Sequence, residues 1–321
     1  MTLAALRPAA VRMLLTLLTV SLISFLMVAL LPGDLALLIL ADSATPERVA
    51  ALRAELGLDL PIWHRYLAWL GQVLQGHLGH SVHTGEATLD ILLARLPVTL
   101  ELIVLTTLVA LAIAIPLGVL SAHQRDRAFD HATLAACLSL LSVPPFVLGL
   151  GMIYLLALKL QWLPATGYVP LSEGWWPHLR CYVMPVLALA AVEVPVYVRV
   201  LRSEMVATLQ QNHMALARAM GLPTWRRLFE NALRPSLLGL ITLVSVNMGR
   251  LLGGAIILEA LFALPGIGQL LVESVYQQDH LVTQGIVLMA ALGLVLLNLL
   301  ADLVYVLADP RMQRDPPAAR P

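Results

Sequence analysis

Arg250, in the apolar stretch "SVNMGRLLGGAIILE", is the residue whose type and position most demand a chemical account. A guanidinium in mid-span costs from about 2.5 to over 10 kcal/mol, so it must face water or an acid. Asn247 stands three residues earlier on the same helical face, and Glu101, Glu193 and Glu259 are the carboxylates able to answer the charge. Two arrangements satisfy this chemistry. In one, Asn247 and Arg250, with Glu193 and Glu259, line a path and meet a carboxylate or other anionic group of a cargo. In the other, Arg250 is neutralised in an internal ion pair.

The second group is "HLGHSVH", in which His77, His80 and His83 recur every third residue. Histidines at i and i+3 can share a helical face, but Gly79 and Ser81 weaken a helix here. No carboxylate or cysteine completes a metal shell, so the reading is a solvent-facing histidine loop with no metal site assigned. Covalent and hydrolytic chemistry has no foothold elsewhere. There is no H-E-x-x-H and no G-x-S-x-G, and the single lysine, Lys159 in "ALKLQW", belongs to no phosphate-binding loop. Cys137 and Cys181 lack metal or redox spacing and read as packing residues.

The third group is basic. "ALARAMGLPTWRRLFENALRPSL", Ala215 to Leu237, carries Arg218, Arg226, Arg227 and Arg234 in a chain that is otherwise mostly apolar. Good helix formers run from Met205 to Ala219, Gly221 can end that helix at positive φ, and Pro223 fits the first turn of a second helix running to Pro235. The segment is expected to be a helical hairpin, residues 203–235, with Leu216, Met220, Trp225, Leu228 and Phe229 as apolar anchors among the arginines. Anionic lipid or a groove on a partner protein would suit it equally.

The elements that hold these residues are membrane spans. With 321 residues, 59% hydrophobic and 12% charged, and a mean hydropathy of +0.83, the chain has too little polar surface to coat a water-soluble globule. A formal net charge of zero offers no field for nucleic acid. Six spans are expected, at Val11–Leu31, Leu96–Leu120, Ala132–Leu158, Tyr182–Leu201, Ser236–Glu259 and Gln284–Leu307. The first is long for a signal peptide and has no small-x-small cleavage site, so it is expected to be retained. Arginines at 7, 12, 125, 127, from 199 to 234, and at 311, 314 and 320 fall on one side, which the positive-inside rule makes cytoplasmic together with both termini.

Three regions follow: residues 1–95, an anchor span plus an external amphipathic segment; residues 96–308, a five-span core carrying the hairpin; and residues 309–321, a cytoplasmic tail. In the external segment, Thr45 is the expected N-cap of a short helix that Gly57 ends, and "PIWHRYLAWLGQVLQG" spaces Trp63, Tyr66 and Trp69 along one interfacial face.

Nine stretches occur in an order that resembles a known family: "LLPGD", "LGLDLPIWHRYLAWL", "GHLGHS", "LPVTLEL", "SVPPFVLG", "ARAMG", "NALRPSL", "EALFALPGIG" and "DPR". From Arg12 to Arg311 the chain is similar to inner-membrane permease subunits of binding-protein-dependent ABC importers, in the dipeptide, oligopeptide and nickel group. The resemblance implies an all-α integral membrane protein with the six-helix fold of a type I ABC importer permease, in a bacterial inner membrane. It implies a second homologous permease subunit, two ATPases that bind ATP and Mg, and an external solute-binding protein as partners. It also implies that the hairpin docks on an ATPase through Ala217, Arg218, Gly221, Leu222, Trp225, Arg226 and Arg227. Ala215, Gln211 and Asn212 stand where the family carries acids, so the apolar and basic residues are left to make the contact. Peptides are the first expected cargo and nickel or a metal chelate the second; a stand-alone transporter or channel is the alternative of a different class.

Overall fold

A computed structural model describes residues 3–30, 45–55 and 59–308. "LLPGD" beyond Leu30, the first residues of "LGLDLPIWHRYLAWL" with Gly57, the tail 309–321 with "DPR", and the side chains of Arg7 and Arg12 lie outside the described residues.

Every regular element described is helical. In chain order they are α1 (Leu3–Ala29), α2 (Pro46–Glu55), α3 (Ile62–Leu74), α4 (Thr88–His123), α5 (Ala128–Leu141), α6 (Pro145–Met152, extended by a π-turn at Ile153–Lys159), α7 (Trp175–Leu209), α8 (Asn212–Ala219), α9 (Thr224–Phe262), α10 (Ile267–Tyr276) and α11 (His280–Ala308). Among the described residues, α4, α7, α9 and α11 are long and apolar enough to cross a bilayer, and α5 with α6 makes a fifth crossing if the bent pair is one span. Where the sequence places the first span, the described apolar helix is the shorter Met13–Ala29.

The structure differs from the expected spans in two places, both at prolines. Ala132–Leu158 is not straight: α5 and α6 meet at 93°. In "SVPPFVLG" neither Pro144 nor Pro145 has an N–H to continue the α5 ladder, and Pro144 disfavours helical backbone at Val143. The chain restarts with Pro145 in the first helical turn. Pro235 does the opposite and does not end a helix. A π-turn, Arg227–Ala232, widens the backbone just before it, and α9 runs unbroken from Thr224 through Pro235 to Phe262. A wider turn relieves the clash that the proline ring would otherwise make with the carbonyl four residues back.

Contacts divide the chain into two compact units, residues 97–269 with the chain from 296, and residues up to 96 with 270–295. Residues 270–295 group with the N-terminal part and not with residues 97–269.

In the first unit α7 is the central helix: 72% of its most apolar window is buried, against 28% for α9. Two apolar clusters meet along it. One joins Ala110, Ala114 and Val119 of α4 to Val194, Tyr197, Val198 and Leu201 of α7 and Leu240 of α9. The other joins Leu102 and Ile103 to Tyr182, Met184 and Leu189 of α7 and Leu258 and Phe262 of α9. A buried Leu or Phe contributes about 1.5–3 kcal/mol in a water-excluding core; between lipid-bathed helices, close packing takes that role.

In the second unit Phe25 of α1 packs edge-on against Tyr66 of α3, with ring centroids 5.5 Å apart, and Trp69 lies at the same distance. Tyr66 and Ser21 share a hydrogen bond of 2.8 Å. Trp63, expected on the same face, instead leaves 72% of its surface exposed. Thr45 does cap α2, its Oγ1 accepting the Arg48 N–H at 3.3 Å.

Candidate functional site

The basic hairpin is built from two helix ends and one glycine. The helix expected from Met205 to Ala219 is interrupted: α7 stops at Leu209, and α8 restarts at Asn212 behind Gln211 in extended backbone. At the end of α8 the Gly221 N–H donates to the Arg218 carbonyl at 3.0 Å and the Leu222 N–H to the Ala217 carbonyl at 3.2 Å. Those two bonds, with Gly221 at φ +74°, form a Schellman motif. A Cβ at Gly221 would meet open space, so the backbone conformation alone requires glycine. Pro223 then sits at the N-cap with ψ 150°, one residue before the first turn expected for it.

The hairpin's side chains sort onto two faces. Leu216, Met220, Trp225 and Phe229 are exposed at 60%, 64%, 56% and 46%. Arg226 stacks over the Trp225 ring at 5.3 Å and reaches Glu230 at 3.9 Å. Arg218 is exposed and Leu222 half-buried. Ala217, Met214 and Leu228 are buried beneath them. Two more expected contact residues are less open than Arg218 and Arg226. Ala217 is inside, its small side chain letting α8 lie close to the core, and the half-buried Arg227 turns inward to bond Thr224 Oγ1 at 3.0 Å. Leu228, expected as an anchor, is core.

The Arg250 chemistry resolves onto one acid. Glu193 of α7, 3% exposed, accepts from the Asn247 amide at 2.7 Å and lies 3.5 Å from the Arg250 guanidinium. Tyr197 follows one turn later on the same face, buried. Arg250 keeps 63% of its side chain accessible, so most of its donors remain open, whereas Asn247 is buried and spent on Glu193. Asn247 thus orients the carboxylate and does not line an open path. Glu101 is occupied elsewhere, 2.7 Å from His178 Nε2, while His178 Nδ1 lies 2.7 Å from the Val169 carbonyl.

Glu259 is enclosed within the packed chain. Fully buried near the end of α9, it accepts the N–H groups of Gly268 at 2.7 Å and Gln269 at 3.3 Å, capping α10 across the short turn between the two helices. Thr99 Oγ1 accepts the Ile267 N–H at 2.8 Å. The glycines of "EALFALPGIG" permit this: a Cβ at Gly266 would lie 2.2 Å from the Glu259 carboxylate, and one at Gly268 would lie 2.4 Å from the Ile256 Cα.

The histidine loop is not helical, and it is wired as structure. Ser81 donates to Asp279 at 2.6 Å, His83 Nε2 lies 2.8 Å from the Gln277 carbonyl, and His80 pairs with Ala87 through an isolated bridge. Among the described residues no three His, Cys, Asp or Glu side chains gather as a metal site.

Sequence reasoning missed one polar centre. Asp130, at the start of α5, takes a two-pronged bond from Arg202 of α7 at 2.6 and 2.5 Å, and also accepts from Ser121 and from the Asp126 N–H. The pair is 72 residues apart in sequence, and only the charged loop "QRDRAFD" hinted at it.

Residues 114–314 match the family described as "Binding-protein-dependent transport system inner membrane component", and residues 5–103 match its N-terminal membrane component. The chain belongs to this permease family. It is 35% identical to a Brucella abortus (strain 2308) protein named for a peptide transport system permease, over 93% of this chain and 95% of the relative. It is 32% identical to the dipeptide transport system permease protein DppB of Escherichia coli (strain K12), again over 93% and 95%. A chain of the inward-facing MetNI methionine ABC transporter superposes with a TM-score of 0.57 at 18% identity, covering 68% of this chain and 96% of that one. The all-α fold is therefore that of an ABC importer permease, and the protein is a multi-pass membrane component.

Proposed function

We propose that this chain is the permease subunit of an ATP-driven importer that moves dipeptides and oligopeptides handed over by an external solute-binding protein. The observation that carries the reading is full-length similarity to permeases named for peptide and dipeptide transport. The exposed apolar and basic face of the hairpin supports the ATP-driven part, because it is a surface prepared for a partner.

In this reading the chain pairs with a second homologous permease, and two ATPases that hold ATP and Mg bind at the cytoplasmic side. Both termini lie there as well, and six spans cross the membrane. Leu216, Met220, Trp225 and Phe229 enter a groove of one ATPase, with Arg218 and Arg226 at its rim. The Schellman turn at Gly221 keeps the two helices of the hairpin at a fixed angle. Closure of the ATPases on ATP is thereby passed into α7 and α9 as a push instead of being absorbed by slack chain. Movement of α9 against α7 works across the Glu193–Arg250 contact. Arg250, with donors to spare, is placed to meet the carboxylate that every peptide carries at its C-terminus.

Nickel or a metal chelate is the second cargo. The test is to isolate the solute-binding protein encoded beside this chain and identify its native ligand by mass spectrometry. Short peptides are expected; nickel or a chelate would overturn the peptide assignment and leave the permease assignment standing.

A further inference from the structure

Inside the hairpin, where Met214 and Leu228 are buried, lies a cavity of about 360 Å³ whose polar wall is His123, Arg218, Thr224 and Arg227. Three elements supply that wall: the last residue of α4, the exposed side of α8 and the start of α9. Two guanidiniums and an imidazole face the same space, and among the described residues no carboxylate lines it. The nearest acid on α9, Glu230, faces Arg226 instead.

Arg227 is the telling group. One of its amino nitrogens donates to Thr224 Oγ1 at 3.0 Å, and its half-buried guanidinium lines the cavity beside Arg218. Thr224, accepting from Arg227, still has its own hydroxyl hydrogen to donate. Arg218, the Arg227 guanidinium, the Thr224 hydroxyl and the His123 ring thus line one cavity from three elements. A carboxylate presents its two acceptor oxygens in one plane, whereas a tetrahedral oxyanion carries three or more out of plane for donors on three elements.

We propose that this cavity binds a phosphate group, which braces the inner side of the hairpin by joining the end of α4 to α8 and to the start of α9. The proposal is independent of the cargo reading. It holds for the same chemistry from two sources, a free phosphate ion or the headgroup of an anionic phospholipid reaching in from the bilayer surface.

The test uses the full chain purified in detergent and stripped of lipid, titrated at constant ionic strength with inorganic phosphate and, separately, with short-chain phosphatidylglycerol. Binding is read by calorimetry and by the rise in melting temperature. At least one probe should bind, and Arg218→Gln and Arg227→Gln should each weaken it tenfold or more. Arg125→Gln, which removes an exposed arginine outside the cavity, should leave affinity within twofold. Arg227→Lys keeps the charge without the planar guanidinium fork and should weaken binding in a chain that still folds. Binding of phosphate in this pattern identifies a free-ion site; binding of phosphatidylglycerol alone in the same pattern identifies a headgroup site. The proposal fails if neither probe binds, if the Arg218 and Arg227 variants bind like the parent, or if Arg125→Gln weakens binding as much as they do.

Discussion

Trp225→Ala separates docking from folding. Trp225 leaves 56% of its surface exposed at the turn of the hairpin and makes no buried contact in the core clusters. Its removal should leave the melting temperature of the isolated permease within a degree or two. If an ATPase groove covers the exposed part, about 140 Å² leaves water for a side chain of this size, a gross gain of about 3.5 kcal/mol at 25 cal/mol per Å². Ordering costs and partial solvation reduce this, and a realised loss of about 2 kcal/mol corresponds to a roughly 30-fold weaker complex. The assay is the dissociation constant of the detergent-purified permease for its ATPase, with Leu228→Ala as the contrasting variant. Leu228 is 6% exposed. Its truncation should cost about 2–5 kcal/mol of stability through the core. A Trp225→Ala complex within twofold of the parent, or a Trp225→Ala permease that melts as early as Leu228→Ala, would refute the two-face reading of the hairpin.

Other substitutions probe the remaining contacts. Arg250→Gln should leave copurification of the ATPase intact and lower peptide uptake by tenfold or more; equal loss of both would make the Glu193–Arg250 contact purely structural. Gly268→Ala forces a Cβ to 2.4 Å from the Ile256 backbone, and overpacking of that kind should cost about 1–3 kcal/mol in a thermal melt. Asp130→Ala leaves Arg202 without its acid and should destabilise by about 3–5 kcal/mol, measured by denaturant or heat.

What could be read from the sequence is what local chemistry dictates. Long apolar runs announced α4, α7, α9 and α11, Thr45 announced its cap, and Gly221 its positive φ, because each depends on residues within one turn of itself. The tandem prolines of "SVPPFVLG" were visible, but the 93° bend depends on which way the restarted helix finds its packing. Pro235 misled because a π-turn is a backbone solution with no side-chain signature. Partners beyond a single helical turn were hidden for a different reason. Arg250 was compatible with Glu101, Glu193 and Glu259, and only the fold commits Glu101 to His178 and Glu259 to the N-terminus of α10. Asp130 and Arg202 looked like ordinary loop and span-end charges until the chain brought them together. Ala217 sits in a motif that reads as contact surface, yet which side of an eight-residue helix faces inward is decided by its neighbours.

Cargo movement by this chain is expected only within an ATP-driven complex. The most direct measurement is uptake of a labelled dipeptide into proteoliposomes that hold the permease pair with its ATPases, with and without ATP inside reach of the ATPases and with and without the solute-binding protein. Uptake that requires both ATP and the binding protein is the predicted result. Uptake by this chain alone, without ATP, would contradict the claim and point to a stand-alone transporter.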